Sequence, residues 1–178
     1  MAAPDRIILG SCKVFAVEFT GTIPEDSVIE TADNRLGHIK GGASVEYTPT
    51  FHTAKDDLGE VQKSKITEEE VKVKCGIMTL DGTNISKLSA TARVTEAAGK
   101  RTVKIGGVGN DNGKKYAIRL LHEDAEDGDI RVTIVGRNES GFALAFAKDA
   151  ETVVDAEFSA FPNDSEGTLV IYEEETKE

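Results

Sequence analysis

Alternation of apolar and polar residues is the dominant pattern in this chain, and it is clearest between residues 43 and 77. Ala43, Val45, Tyr47 and Phe51 fall on one face of a first extended segment. In a second segment, residues 71–77, every odd position is apolar. Alternation with a period of two indicates strands with one buried face. The polar residues of the opposite face are Ser44, Glu46, Thr48, Thr50, Glu70, Lys72 and Lys74.

Between these two strands lies a hydrophilic stretch, residues 52–67, which predicts a long hairpin loop. Tight hairpins need about two to five loop residues. Ordering a residue costs about 1–2 kcal/mol of backbone entropy, and this composition cannot fill a core in return. A partner surface could offset that cost, so we expect the loop to contact neighbouring subunits. The residues expected to make this contact are His52, Lys55, Asp56, Asp57, Leu58, Glu60, Val61 and Lys63.

Further alternating segments, separated by turns rich in glycine, asparagine and aspartate, continue almost to the end of the chain. A short helix is predicted over residues 83–91, with Asn84 or Thr83 as its N-cap and with Ile85 and Leu88 on one helical face. Many short strands with one helix indicate a mostly β fold, a two-sheet β-sandwich or barrel with one short flanking α-helix. The other predicted strands cover residues 13–19, 101–106, 115–121, 129–135, 141–148, 152–161 and 168–173.

The chain length of 178 residues predicts one domain, residues 13–174. Residues 1–12 are expected to form an arm, and the charged residues 175–178 a C-terminal tail. Residues 20–40 carry turn signals and predict an extended loop. Because a long loop is uncommon inside a compact domain, this segment is expected to pack on the outside or to reach a neighbour.

The formal net charge of −11 makes specific binding of DNA or RNA unlikely on electrostatic grounds, since an acidic surface repels phosphates. Tryptophan is absent and only 6% of residues are aromatic, so a surface for stacking bases or sugars is not expected. Two cysteines are too few for a disulfide scaffold, and no signal peptide or membrane span is predicted. We therefore expect folding in a reducing cytoplasm.

No pattern of catalytic, cofactor-binding or metal-binding residues is predicted. The glycine-rich residues 106–115 lack the phosphate-loop spacing, because Val108 stands where a glycine is needed and Lys115 replaces the Ser or Thr. The acidic residues 122–129 lack a calcium-loop pattern, with Ala125 at a carboxylate position. The three histidines lie far apart. An enzyme is therefore not expected.

In the order of these elements, the chain resembles the major tail tube proteins of tailed bacteriophages and of phage tail-like particles. The resemblance spans residues 13–174 approximately, and no single motif in it is chemically diagnostic. The segments that carry it are Leu36–Ala43, Ser44–Tyr47, Asp56–Gly59, Ile85–Leu88, Gly141–Asp149 and Gly167–Glu173.

The resemblance implies a structural virion protein that assembles in the host bacterial cytoplasm. Six copies would close into a ring, and stacked rings would form a tube that holds the tape-measure protein and later passes double-stranded DNA without binding it specifically. The other implied partners are the tail-terminator protein, the distal tail or baseplate proteins and, in a contractile tail, a sheath. The polar face given above would line the lumen, although Lys72 and Lys74 depart from a negative channel unless Glu46 neutralises them.

Two other functions remain open from the residues alone. One is a monomeric β-sandwich module that binds a ligand through its turns. The other is an enzyme of unrecognised type, which would need acidic turns such as residues 123–129 to bind a metal. The sequence does not distinguish contractile from non-contractile tails, or a phage from a bacteriocin-like particle.

Overall fold

The computed structural model describes residues 6–176, and its main element is an antiparallel sheet of seven strands. A second sheet has two strands, and two short α-helices lie between strands. The expected mostly β fold is therefore confirmed. In chain order the elements are β1 (Lys13–Glu18), α1 (Asp26–Ile29), β2 (Ile39–Lys55), β3 (Gln62–Ile77), α2 (Gly82–Lys87), β4 (Arg93–Ala97), β5 (Lys100–Lys104), β6 (Tyr116–His122), β7 (Ile130–Asn138), β8 (Val154–Ala160) and β9 (Val170–Glu174), with 3-10 turns at Ala32–Asn34 and Val108–Asn110.

The large sheet has the order β1-β6-β7-β8-β3-β2, and β9 also pairs with β7. Two strands share one edge of β7: β8 pairs with Gly136–Asn138, and β9 pairs with Ile130–Ile134. At this junction β7 and β8 approach so closely that a Cβ on Gly136 would lie 2.2 Å from the carbonyl oxygen of Ser159. Only glycine fits there.

The main core lies between the two halves of this sheet, which face each other as in a sandwich. Alternate residues of β1, β6 and β7 pack with alternate residues of β3 and β8. Apolar burial of this kind is the principal source of stability. The residues of the main core include Val14, Ala16, Ile118, Leu120 and Ile134 from the first half and Val71, Val73, Cys75, Ile77, Val154, Ala156 and Phe158 from the second.

A second, smaller core covers the outer face of β1 and β6. Residues 20–40, expected as an extended loop that packs on the outside or reaches a neighbour, do pack there but contain the helix α1. Ile29 of α1 packs with Phe15 and Leu121, and all three are buried. α1 has four residues, so it shows no helical periodicity that sequence inspection could detect. Phe15 and Leu121 alternate with main-core residues, and both faces of these strands are therefore buried.

The predicted helix over residues 83–91 is present but shorter, from Gly82 to Lys87. Its N-cap is neither Thr83 nor Asn84 but Asp81, whose carboxylate accepts a hydrogen bond of 2.8 Å from the backbone N–H of Asn84. Asp81 is a favourable N-cap because its oxygen satisfies an N–H that has no partner within the helix. Leu88, at the C-cap, is buried in the main core.

The predicted long loop over residues 52–67 is wrong, because β2 continues to Lys55 and β3 begins at Gln62. Cross-strand pairs continue from Phe51 opposite Ile66 to Lys55 opposite Gln62. A register shift after Thr50 accommodates the additional residue Thr67, which interrupts the alternation in the sequence. The turn itself is therefore only residues 56–61.

Two other predicted strands differ from the structure. Residues 141–148 form none of the nine strands β1 to β9 given above, and Phe146 is 87% exposed. The bridge that this segment makes among the described residues is the local pair Ala147–Ala150, and Phe142 packs partly against the main core. The strand predicted over residues 101–106 is present as β5 (Lys100–Lys104), which pairs with β4 in the two-stranded sheet, and Ile105 lies beyond its end and is 47% exposed.

The predicted arm and tail extend beyond the described residues, since residues 1–5 and 177–178 lie outside them. Within the described part, Arg6 donates a hydrogen bond to the carbonyl oxygen of Gly128. Glu175, expected in the tail, accepts a hydrogen bond of 2.8 Å from Arg131. Both ends of the domain are thus attached near the β6–β7 turn.

Candidate assembly surface

The β2–β3 hairpin extends well beyond the core, and this extension is the most unusual surface of the molecule. β8 pairs with β3 only from Lys72 to Ile77. Beyond Val71, the hairpin consists of two strands, and no third strand or facing sheet of the described chain covers them. We call this part the ribbon (residues 48–70). Isolated two-stranded hairpins have marginal stability in water, so the ribbon is a segment that neighbouring protein would stabilise.

From Val45 onward the apolar residues of β2 do not enter the core, although their alternation predicted a buried face. Val45 lies opposite Val73, and Tyr47 lies opposite Val71. Val71 and Val73 are buried, whereas Tyr47 is 52% and Phe51 57% exposed. The exposed apolar residues that share this face are Val45, Tyr47, Phe51 and Ile66, and we call them the apolar stripe.

Tyr47 belongs to the apolar stripe, but its hydroxyl group contacts a neighbouring polar side chain. Its hydroxyl donates a hydrogen bond of 2.7 Å to Glu69, which raises the pKa of Tyr47 because loss of the proton would break that bond beside a carboxylate. The ring remains half exposed. A large, contiguous exposed apolar face is typical of a protein–protein contact.

The tip of the hairpin is an ordered turn built around Asp56. Its carboxylate accepts a hydrogen bond of 2.8 Å from the backbone N–H of Val61, which lowers the pKa of Asp56. Gly59 adopts a φ of +72°, a conformation that favours glycine. Leu58 and Val61 are 81% and 70% exposed at this tip. All eight residues expected to contact a neighbour are exposed in the single chain.

The seven residues expected to line a lumen lie together on the other face of the hairpin. The register places Ser44 opposite Lys74, Glu46 opposite Lys72 and Thr48 opposite Glu70. This polar face continues onto β8, where Glu157 lies opposite Lys74. Sequence inspection missed the contribution of β8, since pairing between distant strands leaves no local signal. The residues that β3 and β8 add to the polar face are Glu68, Asp155, Glu157 and Ser159.

Both lysines of the polar face are neutralised, as expected for Lys74 and Glu46. The Nζ of Lys74 lies 2.8 Å from a carboxylate oxygen of Glu46. Lys72 lies 3.1 Å from Glu70 and 3.4 Å from Glu157. These hydrogen bonds raise the pKa of both lysines, with Glu70 acting most strongly on Lys72 and Glu46 on Lys74. The five carboxylates of the face, Glu46, Glu68, Glu70, Asp155 and Glu157, outnumber its two lysines.

An apolar cleft of about 280 Å³ opens between the base of β2 and the β6–β7 half of the sheet. Val45 and Ala43 form one wall, Leu120 and Val132 another, and Tyr172 closes the side. The residues that precede β1 pass along it, and its lining includes Ile8 and Cys12. Ile7 and Leu9 beside it are 81% and 85% exposed. The cleft and the apolar stripe thus form one apolar region.

Comparison of the sequence with models of protein families and with curated proteins finds no match. Within residues 6–176, no helix has the length and apolar character needed to cross a membrane. In the same part of the chain, no three His, Cys, Asp or Glu side chains are grouped so that they could hold a metal ion.

Proposed function

We propose that this chain is the structural subunit of a tail tube, of a bacteriophage or a phage tail-like particle, and that copies of it close into hexameric rings that stack. The ribbon carries this proposal. It extends beyond the core as two strands, and it exposes Phe51 and Ile66 on one side, next to the exposed Tyr47 at its base. A neighbouring subunit that covered the apolar stripe would stabilise both strands at once.

The outer edge of β2 also favours assembly. β2 has 17 residues, and in the described chain it pairs only with β3. A long unpaired edge invites further strand pairing, and closure into a ring removes such edges. Pro49 lies in β2, where its missing N–H is tolerated because the strand is at an edge. By contrast, the outer edge of β1 is partly covered, since Leu36 donates a hydrogen bond to Val14.

The polar face supports the role of a channel wall. Its carboxylates exceed its lysines, and each lysine already has a carboxylate partner within 3.1 Å. Such a wall repels DNA phosphates at short range and offers them few cations to bind. In the proposed tube, the tape-measure protein occupies this channel first and DNA passes later. The tube ends contact terminator and baseplate proteins, and a sheath surrounds the tube if the tail contracts.

A shortened hairpin tests the ribbon. In this variant an Asn-Gly turn replaces residues 52–65, so that Phe51 and Ile66 flank a two-residue turn. The core residues of β3 are untouched, and we expect a folded monomer of slightly below 19.1 kDa that forms no rings. The wild-type chain is expected to form rings and tubes in negative-stain electron microscopy as its concentration is raised.

Two point variants provide a matched control. Phe51→Ser removes an exposed aromatic ring from the apolar stripe and should raise the concentration needed for assembly at least about tenfold, which corresponds to about 1.4 kcal/mol. Thr50→Ser changes the opposite face and should assemble as the wild type does. Rings formed by the shortened chain would contradict a role for the ribbon. A wild-type chain that sediments as a monomer at every concentration would instead support the binding-module alternative.

A further inference from the structure

Charge is distributed very unevenly along this chain. Residues 82–115, which include α2, β4, β5 and the following loop, form a unit that we call the basic lobe. It contains seven basic residues and only two acidic ones, Glu96 and Asp111, so its net charge is +5 whereas the whole chain carries −11. The basic residues are Lys87, Arg93, Lys100, Arg101, Lys104, Lys114 and Lys115.

Contacts of the basic lobe place it at one end of the β6–β7 pair. The side-chain amide of Asn138, the last residue of β7, donates a hydrogen bond of 3.2 Å to the carbonyl oxygen of Leu88. Arg137 lies 3.6 Å from Asp111. β6 begins at Tyr116, directly after the lobe. Lys100 and Lys104 are exposed, and no described carboxylate lies within ion-pair distance of either.

The opposite end of the same strand pair is acidic. β6 ends at His122 and β7 begins at Ile130, so residues 123–129 form the turn there. β9 ends beside this turn, because Glu174 lies opposite Ile130 and Glu175 bonds to Asp129. We call this part the acidic end. Its eight carboxylates are Glu123, Asp124, Glu126, Asp127, Asp129, Glu173, Glu174 and Glu175, and they exceed the four cations that pair with them among the described residues, Arg6, Lys13, Arg119 and Arg131.

The two charged regions are therefore separated by the length of β6. Seven residues at about 3.3 Å per residue place them roughly 20 Å apart. Each subunit has the basic lobe at one end and the acidic end at the other. Two copies therefore attract each other through these regions only when they are arranged head to tail. Such a contact does not close on itself in pairs, and it repeats to form a stack.

We propose that the basic lobe docks on the acidic end of a second copy of this chain, and that this contact sets the direction and register of stacking. This inference depends on the proposed function in one respect: the two copies that the contact joins belong to successive rings of the tube. Complementary charge would steer the encounter and disfavour the reversed orientation, in which like charges meet. Apolar contacts of the ribbon would close each ring.

A nucleic acid is a less suitable occupant of the basic lobe. Residues 82–115 contain no Phe, Tyr or Trp, so no aromatic ring is available to stack on a base. A long polyanion such as DNA would extend beyond the basic lobe and be repelled by the acidic remainder of the surface. The acidic end of another copy is compact, so its carboxylates would contact the basic lobe alone.

Charge reversal tests the contact. One variant combines Lys100→Glu with Lys104→Glu, and a second combines Glu126→Lys with Asp127→Lys. All four residues are exposed, and circular dichroism with thermal melting checks that the variants fold. Each variant alone should still form single rings but should need at least about a tenfold higher concentration to stack. A third variant carries all four changes, which restores complementarity with the signs exchanged, and it should stack again.

A matched control reverses one exposed lysine outside the basic lobe, Lys148→Glu, and is compared with Lys104→Glu alone, which produces the same change in net charge. It should stack as the wild type does. Stacking of the wild type should also weaken near 1 M salt, where the screening length is about 3 Å. Sedimentation velocity and negative-stain microscopy measure rings and stacks separately.

The outcomes separate this inference from the proposed function. If the wild type forms no rings at all, the tube proposal fails. If rings form and both reversed variants stack as the wild type does, the head-to-tail contact is wrong. If the wild type binds double-stranded DNA in a gel-shift assay and the Lys100→Glu, Lys104→Glu variant does not, the basic lobe binds nucleic acid and the inference is overturned.

Discussion

At the scale of single residues, Arg119 is the most informative side chain. It is only 2% exposed, and its guanidinium is hydrogen-bonded to Thr133 at 2.7 Å and to Glu30 at 2.9 Å. Glu30 also accepts a hydrogen bond of 2.8 Å from Arg131. A buried cation is tolerated only when it is paired and hydrogen-bonded. Arg119 and Glu30 thus hold α1 on the outer face of the sheet.

Removal of Glu30 should cost much more stability than removal of Asp26. Both carboxylates belong to the α1 segment and both contact Arg119, but Glu30 has a side chain 16% exposed and Asp26 one that is 54% exposed. We expect Glu30→Ala to lower the free energy of unfolding by about 2–3 kcal/mol, because it removes the buried carboxylate that Arg119 and Arg131 share and leaves both with more exposed partners. Asp26→Ala should lower it by less than about 1 kcal/mol. Urea titration followed by circular dichroism measures both, and equal losses would contradict this account.

At the scale of elements, the β2–β3 hairpin has two parts that differ in what stabilises them. From Val71 to Ile77, β3 is buried and lies between β2 and β8. The ribbon has neither a third strand nor a facing sheet. Cross-strand contacts such as the 3.0 Å hydrogen bond between Thr53 and Ser64 shape it, but they are exposed to water.

Amide hydrogen exchange of the dilute, monomeric chain should therefore separate these parts. We expect amides of residues 71–77 to exchange only through global unfolding and those of the ribbon to exchange many times faster, because two-stranded segments open locally. The same ribbon amides should become protected in assembled tubes. Full protection of residues 53–66 in the monomer would show that the ribbon needs no neighbour, and the assembly argument would then fail.

At the scale of the whole molecule, exposed carboxylates influence stability through turns in different parts of the fold. Asp56, Asp124 and Asp164 each accept backbone N–H bonds from residues that follow them. These bonds lower the pKa of Asp56 and Asp124, and a side-chain hydrogen bond from Thr168 acts first on Asp164. Each turn thus holds its aspartate in the ionised form.

The lowered pKa values give a direction for the pH dependence. A carboxylate whose pKa is lower in the folded state adds stability above its unfolded pKa, about 3.9 for Asp, and this stability is lost as the pH falls through the folded pKa. We expect the melting temperature of the monomer to fall below about pH 4. The double variant Asp124→Asn, Asp164→Asn keeps a hydrogen-bond acceptor but does not titrate, so its melting temperature should depend less on pH. An unchanged pH profile would contradict this role of the turns.

Sequence alone predicted the elements that are encoded by local pattern. Alternation located β1, β3, β6, β7, β8 and β9, because each has at least one face that must be apolar. It also placed the seven polar-face residues correctly on one side, since alternation fixes which residues share a face of a strand. The short helix was found because Ile85 and Leu88 lie three residues apart, although its cap, Asp81, was missed.

Tertiary structure decided which apolar faces are actually buried. Val73 and Val45 look alike in their local patterns and lie opposite each other, yet only Val73 is fully buried. The difference arises because β8 pairs with β3, whereas no strand among residues 6–176 pairs with the outer edge of β2. Likewise, residues 141–148 alternate as a strand would, yet in the described chain they make only the local bridge Ala147–Ala150 and join neither sheet. Burial depends on contacts between distant segments, and so the exposed apolar stripe, the ribbon and the separation of the acidic end from the basic lobe follow only from the folded chain.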